Sequence, residues 1–304
     1  MANLSEVFTF IKIHHLTGSN FLRLFDLNML AFPTQKPGTN YYFSRGRKRM
    51  KTAGIDIGSI TAKAAIVEGE KILGSKIIFT GYNAEAAGKK VYEDVLAESG
   101  LDASSVSKIV STGYGRNSVK FADRSFTEIM AHAAGAYFLN PKIRTIIDIG
   151  GQDSKAMSLD EKGKVKNFVM NDKCAAGTGR FLEVMARALE VNLDDFGAMS
   201  LQSNVPSKIS SLCTVFAESE VISLIARGEK RQDIIAGIHE SIAARVSSML
   251  ARIGIQEPVM MTGGVARNAG VVAALGQKLG ARIEVSDYMQ VNGAIGAAVL
   301  ASSI

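Results

Sequence analysis

Two segments with the same frame, Gly54-Ile-Asp-Ile-Gly-Ser59 and Ile147-Asp-Ile-Gly-Gly-Gln152, decide the fold of this sequence. Each segment ends an apolar, strand-like run with an aspartate and a glycine, and a second strand-like run follows it. The two aspartates, Asp56 and Asp148, lie 92 positions apart, which is a domain-sized spacing. The repeat predicts two related strand-turn-strand units that face each other across a cleft.

Around these segments, short β-branched runs alternate with amphipathic stretches, which is the pattern of an α/β protein. We predict strands at residues 52–58, 63–67, 72–79, 108–111, 145–150, 154–158, 165–170, 258–262 and 282–285. We predict helices at residues 84–98, 127–138, 180–189, 215–226, 231–252, 266–278 and 293–301. With the repeat, these elements predict a first domain at 50–145, joined by a returning C-terminal helix at 291–304, and a second domain at 146–290.

Composition limits the classes of protein that this chain can be. It has 304 residues, of which 47% are hydrophobic and 21% charged, so it can bury a large core and is neither disordered nor a small disulfide-rich protein. The net charge is +6, but residues 1–49 contain seven Lys and Arg against two acidic residues and so contribute +5 of it. The remainder is close to neutral, which does not favour a nucleic-acid partner.

The first 49 residues are interpreted as a basic extension outside the folded domain, and Met50 is the favoured real start of the protein. They lack the order of a signal peptide, which is a basic start, an apolar middle and a small-residue cleavage site. No apolar run reaches the roughly 18 to 20 residues that a membrane-spanning helix needs. We therefore expect a cytoplasmic protein with no membrane partner.

The glycine-rich turns predict phosphate binding. Glycine lets backbone N–H groups approach an anion closely, and an aspartate at the end of the preceding strand can hold Mg²⁺ or its waters beside the phosphates. A third segment, Met261-Thr-Gly-Gly-Val-Ala-Arg-Asn268, ends a strand and opens a helix, where a glycine pair can accept a nucleoside. Each turn alone is more often structural than functional, but three in this order favour a nucleotide site. The sequence has no P-loop of the form GxxxxGK[ST] and no strand followed by GxGxxG.

The order of these three segments resembles the ATPase superfamily of actin, Hsp70 and the sugar kinases. The resemblance implies a duplicated ribonuclease-H-like core, with ATP in the cleft between two domains that a hinge opens and closes. It implies a first phosphate loop formed by Gly58, Ser59, Thr61 and Lys63, a second formed by Gly150, Gly151 and Gln152, and a nucleoside site formed by Gly263, Gly264 and Gln290. It assigns the catalytic placement of Mg²⁺ and water to Asp56, Asp148 and Gln152.

The chain has only two cysteines, Cys174 and Cys213, and each precedes a predicted helix. The simpler interpretation is two buried, inert thiols. The shared helix-start position and the Gly, Ser and Thr neighbours favour an anionic or metal-binding role instead, since a helix N-terminus lowers the pKa of a thiol. A zinc site within one chain is not expected, because His132 and His239 lie in helical stretches without ligand spacing. A 4Fe-4S cluster needs four thiolates, which a two-fold dimer would supply.

Four segments resemble a narrower family, the activators of 2-hydroxyacyl-CoA dehydratases within the BadF/BadG/BcrA/BcrD ATPases. They are Thr112-Gly-Tyr-Gly-Arg-Asn117, Asn171-Asp-Lys-Cys-Ala-Ala-Gly-Thr-Gly-Arg-Phe-Leu182, Cys213-Thr-Val-Phe-Ala-Glu-Ser-Glu220 and Ala236-Gly-Ile-His239. The resemblance implies a homodimer in which Cys174 and Cys213 of both chains hold one bridging 4Fe-4S cluster. It also implies reduced ferredoxin or flavodoxin as electron donor and ATP-driven transfer of one electron to a separate dehydratase component.

One position departs from the family pattern, and three alternatives stay open. Ile60 replaces a hydroxyl residue of the first phosphate loop, so Ser59 and Thr61 are expected to make more of the phosphate contacts. The first alternative is an ATP-binding subunit of a benzoyl-CoA-reductase-like hetero-oligomer. The second is a metabolite kinase with inert cysteines, although no motif for a sugar site is present. The third is a chaperone-like ATPase switch, although the chain lacks a long substrate-binding extension.

Overall fold

The computed structural model describes residues 50–210 and 213–304. The prediction for residues 1–49 lies outside this range. The first sheet contains β1 (Lys51–Ile57), β2 (Thr61–Glu68), β3 (Lys71–Phe79), β4 (Val106–Thr112) and β5 (Arg124–Ser125), in the order β3-β2-β1-β4-β5. Strands β1 to β3 are antiparallel, and β4 adds to β1 in parallel.

The second sheet repeats this arrangement. It contains β6 (Thr145–Ile149), β7 (Ser154–Leu159), β8 (Val165–Asn171), β9 (Val259–Thr262) and β10 (Ile283–Val285), in the order β10-β9-β6-β7-β8. Strands β6 to β8 are antiparallel, while β9 and β10 are added in parallel. The strands that contain Asp56 and Asp148, β1 and β6, hold the same central place in their sheets. The α/β architecture and the duplication that the repeat predicted are therefore confirmed.

Eight α-helices surround the sheets in the described part of the chain. They are α1 (Ala84–Ser99), α2 (Glu128–Leu139), α3 (Gly179–Ala188), α4 (Leu193–Ser200), α5 (Thr214–Ala226), α6 (Arg231–Leu250), α7 (Ala269–Leu279) and α8 (Asn292–Ala301). All seven predicted helices are present. The prediction missed α4 and the two-residue β5, and it began α7 three residues early, because Gly264–Arg267 forms a 3₁₀ turn.

The last helix returns to the first sheet. Every residue of α8 is buried, and Thr52 of β1 donates its hydroxyl to the carbonyl of Ala298 at 2.7 Å. Small residues allow this approach: a Cβ on Gly54 would lie 2.0 Å from the Ala294 carbonyl, and one on Gly296 would lie 1.7 Å from the Ala131 carbonyl of α2. The helices α2 and α8 therefore pack backbone against backbone beside β1.

Two large apolar clusters lie on the two sheets. The first packs α1 against β1 and β2, and the second packs α3 and α5 to α7 against β6 and β9. No helix in residues 50–210 and 213–304 is long and apolar enough to cross a bilayer.

Candidate nucleotide-binding site

A cleft of about 890 Å³ lies where the two aspartate-bearing strands end. Its walls contain every residue that the sequence assigned to nucleotide or magnesium: Asp56, Gly58, Ser59, Thr61, Lys63, Asp148, Gly150, Gly151, Gln152, Gly263, Gly264 and Gln290. The cleft has the size of a cofactor site. Strands from both sheets thus bring three separated segments to one place.

The first turn is closed by its own backbone. The amide of Gly58 donates to the Thr61 carbonyl at 3.0 Å, and the Thr80 hydroxyl donates to the Gly58 carbonyl at 2.8 Å. Asp56 and Lys63 are opposite each other in the β1–β2 register, and Lys63 Nζ lies 3.4 Å from Asp56 Oδ2. Both side chains line the cleft, so an ammonium group and a carboxylate are available to a phosphate and a cation.

The second turn places a fully buried carboxylate in a polar network. Asp148 accepts from the Thr262 hydroxyl at 2.8 Å, and it lies 3.2 Å from both Lys155 Nζ and His132 Nδ1. Burial by itself would raise the pKa of Asp148, but the charges of His132 and Lys155 and the Thr262 hydrogen bond outweigh burial and hold this pKa below its usual value. Asp148 is therefore a fixed anion at the base of the cleft.

Lys155 connects three carboxylates. Its Nζ lies 2.7 Å from Asp153 and 3.3 Å from Glu128, in addition to Asp148. Burial would lower the pKa of Lys155, but the three carboxylates raise it above the usual value. In contrast, burial raises the pKa of Glu128, although Lys155 opposes the shift. Glu128, at the first turn of α2, thus takes a proton more readily than Asp148 does.

His132 links this network to the last helix. Its Nδ1 faces Asp148, while Asn292 Nδ2 donates to the His132 carbonyl at 3.0 Å. At Gly293, a Cβ would lie 2.9 Å from Asp56 Oδ2 and 3.0 Å from His132 Nε2. The start of α8 therefore lies against both Asp56 and His132, the residue that faces Asp148, and glycine at position 293 leaves them the space.

The third turn requires glycine for a conformational reason. Gly263 has φ +89°, and a Cβ there would lie 2.3 Å from the carbonyl of Ile149 at the end of β6. The Gly263 amide donates to the Met289 carbonyl at 2.9 Å, which brings the segment of Gln290 beside the turn. A Cβ on Gly264 would have Gln290 Nε2 as its nearest neighbour, at 3.8 Å, so Gly264 and Gln290 are adjacent in the cleft.

The first two turns meet across the cleft at one contact. A Cβ on Gly151 would lie 2.3 Å from Cγ1 of Ile60, so Ile60 occupies the space that a side chain at 151 would need. Ile60 was noted in the sequence only as a lost hydroxyl. In the structure, Ile60 is the apolar residue of the first turn that lies against the second turn.

The two cysteines lie outside the cleft walls. Cys213 is exposed and is the N-cap residue of α5, whereas Cys174 is half-buried and lies in the loop between β8 and α3, five residues before that helix. Both thiols are free, and α3 and α5 contact each other. The alternative of two buried, inert thiols does not fit these positions. Within residues 50–210 and 213–304, no group of three or more His, Cys, Asp or Glu could hold a metal.

Among the cleft residues that sequence reasoning did not assign to the site are three members of the network around Asp148: Glu128, His132 and Lys155. They belong to no motif, because α2 and β7 deliver them from outside the glycine turns. Lys155 did leave a signal, since it is a lysine inside a strand whose other five residues are also buried. A charge in such a strand needs buried partners.

Comparison with known proteins places this site in a family. A family model described as the BadF/BadG/BcrA/BcrD ATPase family matches residues 53–301. The 2-hydroxyisocaproyl-CoA dehydratase activator of Clostridioides difficile is 49% identical over 253 residues, which are 83% of this chain and 95% of that protein.

Two solved structures are similar over nearly the same range. One is the activator of the 2-hydroxyisocaproyl-CoA dehydratase from Clostridium difficile with bound ADPNP, with 48% identity, a TM-score of 0.79, and coverage of 84% of this chain and 95% of that one. The other is (R)-2-hydroxyglutaryl-CoA dehydratase component A from Acidaminococcus fermentans, with 45% identity, a TM-score of 0.81, and coverage of 84% and 98%. The chain has the duplicated, actin-like ATPase fold that the motif order implied. It belongs to the BadF/BadG/BcrA/BcrD ATPase family.

Proposed function

We propose that this protein is the ATP-driven activator of a 2-hydroxyacyl-CoA dehydratase, to which it delivers single electrons. The observation that carries the proposal is the placement of its two cysteines: both are free and lie outside a cleft built for a nucleotide. Similarity to proteins named as activators of such dehydratases supports the same assignment. Cysteines buried in the core or lining the cleft would have favoured the alternative of a metabolite kinase.

The nucleotide part of the proposal uses both halves of the chain. Residues 50–145 with 291–304, and residues 146–290, are proposed to act as two domains that close on ATP and Mg²⁺. Lys63 and the backbone of the glycine turns would bind the phosphates, and Asp56 and Asp148 would hold Mg²⁺ through its waters, since Mg²⁺ keeps several waters and needs few protein ligands. Gln152 would orient the water that attacks the terminal phosphate.

The cysteines fit half of a 4Fe-4S site. Both thiols are free: Cys213 is the N-cap residue of α5, where the helix N-terminus favours an anionic cluster, and Cys174 lies in the loop before α3. One chain supplies two of the four thiolates that a 4Fe-4S cluster takes. We therefore propose that Cys174 and Cys213 of two chains hold one cluster between them. Such a cluster, when bound, would accept and release one electron at a time.

The surface beside Cys213 supports a second copy as the partner. Four apolar side chains of α5 are exposed: Val215 at 66%, Phe216 at 68%, Ile222 at 55% and Ile225 at 42%. Isolated exposed apolar residues are common, but Val215, Ile222 and Ile225 share one face of the helix that begins at the exposed thiol, and this favours an interface. A two-fold axis near Cys213 would cover this surface and complete the ligand set in a single homodimer.

The remaining partners follow from the same assignment. Reduced ferredoxin or flavodoxin is the proposed electron donor, and a dehydratase component that binds the acyl-CoA is the proposed acceptor. Moving one electron to a more negative acceptor costs about 23 kcal/mol per volt, so a nucleotide-driven change has to supply part of that free energy. We propose a cytoplasmic, anaerobic setting, because a cluster at an exposed interface would be lost in air.

The test measures iron, sulfide and the visible spectrum of protein purified without oxygen. We expect about four irons per dimer in the wild type, and loss of iron and colour in both Cys174→Ala and Cys213→Ala with nucleotide affinity unchanged. Ser248→Ala, at an exposed position of α6, is the control that should keep its iron. A wild-type protein that binds ATP tightly yet holds no iron would contradict the proposal and favour the kinase alternative.

A further inference from the structure

The segment that contains Cys174 begins and ends on the second phosphate turn, residues 150–153. At its start, Asn171 is the last residue of β8 and pairs with Ser154, which directly follows that turn. At its end, the amide of Gly179 donates to the Gly150 carbonyl at 2.9 Å, and the amide of Arg180 donates to the Gly151 carbonyl at 2.8 Å. Residues 172–178 are therefore a loop whose two ends are both fixed to the same short turn.

The interior of this loop is braced by one side chain. Asn171 Nδ2 donates to the Cys174 carbonyl at 2.8 Å and lies 3.4 Å from the Ala176 carbonyl. The Asn171 amide oxygen in turn accepts from a terminal guanidinium nitrogen of Arg245 on α6 at 3.4 Å. The backbone around Cys174 is thus tied to the residue that anchors the loop to the turn.

Arg245 is held closely against the same loop. Its Nε is buried without a hydrogen-bond partner, and a Cβ on Gly177 would lie 3.0 Å from its Cδ. A buried donor with no partner costs free energy, so packing against the loop has to hold the guanidinium in place. Arg245 therefore supports Asn171 by a hydrogen bond and supports the loop by contact.

The segment before Cys213 is supported by α5 and by the first turn of α6 rather than by the 150–153 turn. The amide of Ser207 donates to the Asp233 carbonyl at 2.9 Å, and the amide and hydroxyl of Ser210 donate to Glu220 of α5 at 3.0 to 3.1 Å. These supports belong to α5 and α6. The two cysteines of one chain thus differ in how directly they are connected to the phosphate turn.

We propose that Asn171 and Arg245 are positioning residues that transmit phosphate contact at the 150–153 turn to the backbone of Cys174. The inference rests on the proposed function, because it identifies the residues through which a bound nucleotide would act on the redox group. A nucleotide that orders the turn fixes both ends of the 172–178 loop at once, and Asn171 passes this restraint to the Cys174 carbonyl. Cys213 responds less, since its support lies elsewhere.

The test is hydrogen exchange on the full chain, with and without a non-hydrolysable ATP analogue. In the wild type we expect exchange of the 172–178 amides to slow by about threefold or more on nucleotide binding, and by clearly less for residues 207–213. Asn171→Asp retains the oxygen that accepts from Arg245 but loses both donors to the loop, so it should lose this nucleotide response. Arg245→Met keeps the apolar stem of the side chain and should lose most of the nucleotide response. Arg245→Lys should retain part of that response.

Arg252→Met is the matched control, because Arg252 is exposed just beyond the end of the same helix. It should respond as the wild type does. An equal slowing at 172–178 and 207–213 in the wild type would overturn the proposal. So would a full nucleotide response in Asn171→Asp, with affinity for the analogue measured alongside.

Two further measurements keep the outcomes separate. If circular dichroism shows that a variant folds poorly, a measurement on the metal-free wild-type chain takes the place of that variant. The measured quantity is the rate of alkylation of Cys174 relative to that of Cys213. A ratio that does not change when the ATP analogue is added counts against the inference. Iron is measured on the same samples. A chain without iron contradicts the proposed function, whereas the exchange of 172–178 tests the connection between turn and loop by itself.

Discussion

Lys155 is the residue on which the electrostatics of the cleft depend most. It neutralises Asp148, Asp153 and Glu128, and its side chain is only 2% exposed. Lys155→Met keeps the stem but leaves buried carboxylates without their cation, so we expect a loss of about 3 to 5 kcal/mol in the free energy of unfolding. Urea denaturation at pH 7.5 measures it. Lys90→Met, which breaks an exposed pair with Asp94, should cost less than about 1 kcal/mol, and equal losses in the two variants would refute the argument.

His239 is a buried group that makes stability depend on pH. Its Nδ1 lies 3.0 Å from the Ser200 hydroxyl and its Nε2 3.4 Å from Asn268 Nδ2, which suits a neutral ring with the proton on Nδ1. Burial lowers the pKa of His239 to about 4. Its stabilising effect is therefore complete above the unfolded pKa of about 6.5 and is lost as the pH falls from there towards 4.

The expected loss is about 3 kcal/mol between pH 7.5 and pH 4. Other groups titrate in this range, so the quantity to compare is the difference between the wild type and His239→Gln, measured by urea unfolding across the range. The variant should be less stable at pH 7.5 but should lose less on acidification. Parallel pH profiles of the two proteins would show that His239 does not titrate as inferred.

At the scale of elements, the contact between α2 and α8 depends on the absence of side chains. A Cβ on Gly296 would lie 1.7 Å from the Ala131 carbonyl and 2.6 Å from the Gly135 amide, and backbone cannot move aside cheaply. We expect Gly296→Ala to cost about 3 kcal/mol or more in unfolding free energy. In Gly88→Ala on α1, the nearest atoms are side-chain methyls of Val119 and Ile57 at 3.2 and 3.3 Å.

Those methyls can shift, and alanine favours a helix over glycine by about 1 kcal/mol, so Gly88→Ala should be close to neutral. Thermal and urea unfolding of the two variants provide the comparison. A Gly296→Ala protein as stable as the wild type would mean that α8 can move away from α2 without cost.

The sequence was sufficient for strands and helices with a clear local pattern and insufficient for the short α4 and β5. The frame around Asp56 and Asp148 predicted both sheets, because a strand that ends in a glycine turn leaves a clear local pattern. The pattern of α4 was not recognised, because the helix has only eight residues, and β5 is too short for any period. Gly296 shows the same limit, since its role depends on a contact with Ala131, 165 residues away.

At the site, the motifs predicted which backbone turns line the cleft but not the charges beneath them. The roles of all the assigned site residues, Asp56, Asp148, Gln152 and Gln290 among them, remain predictions. Glu128 and Lys155 could not be paired from the sequence, because their contact exists only after α2 packs beside β7. Cys213 was placed correctly at a helix start, whereas Cys174 lies five residues before its helix in a loop tied to the phosphate turn.

At the scale of the whole molecule, the phosphate turns of the two similar halves approach each other at Ile60 and Gly151. Gly151→Ala places a Cβ 2.3 Å from Cγ1 of Ile60, so that side chain has to move or the turns have to separate. Separation would move the first turn away from the phosphates that we propose the second turn binds. We expect Gly151→Ala to weaken binding of a non-hydrolysable ATP analogue about tenfold, equivalent to about 1.4 kcal/mol.

Ile60→Ala in the same chain should restore most of that affinity, because it removes the atoms that the new Cβ meets. Calorimetric titration of the wild type, both single variants and the double variant gives the coupling free energy between the two positions. A coupling near zero would mean that Gly151→Ala disturbs only its own turn. A coupling of about 1 kcal/mol or more would show that each half of the molecule sets the geometry of the other's phosphate turn, as the proposed closure around ATP requires.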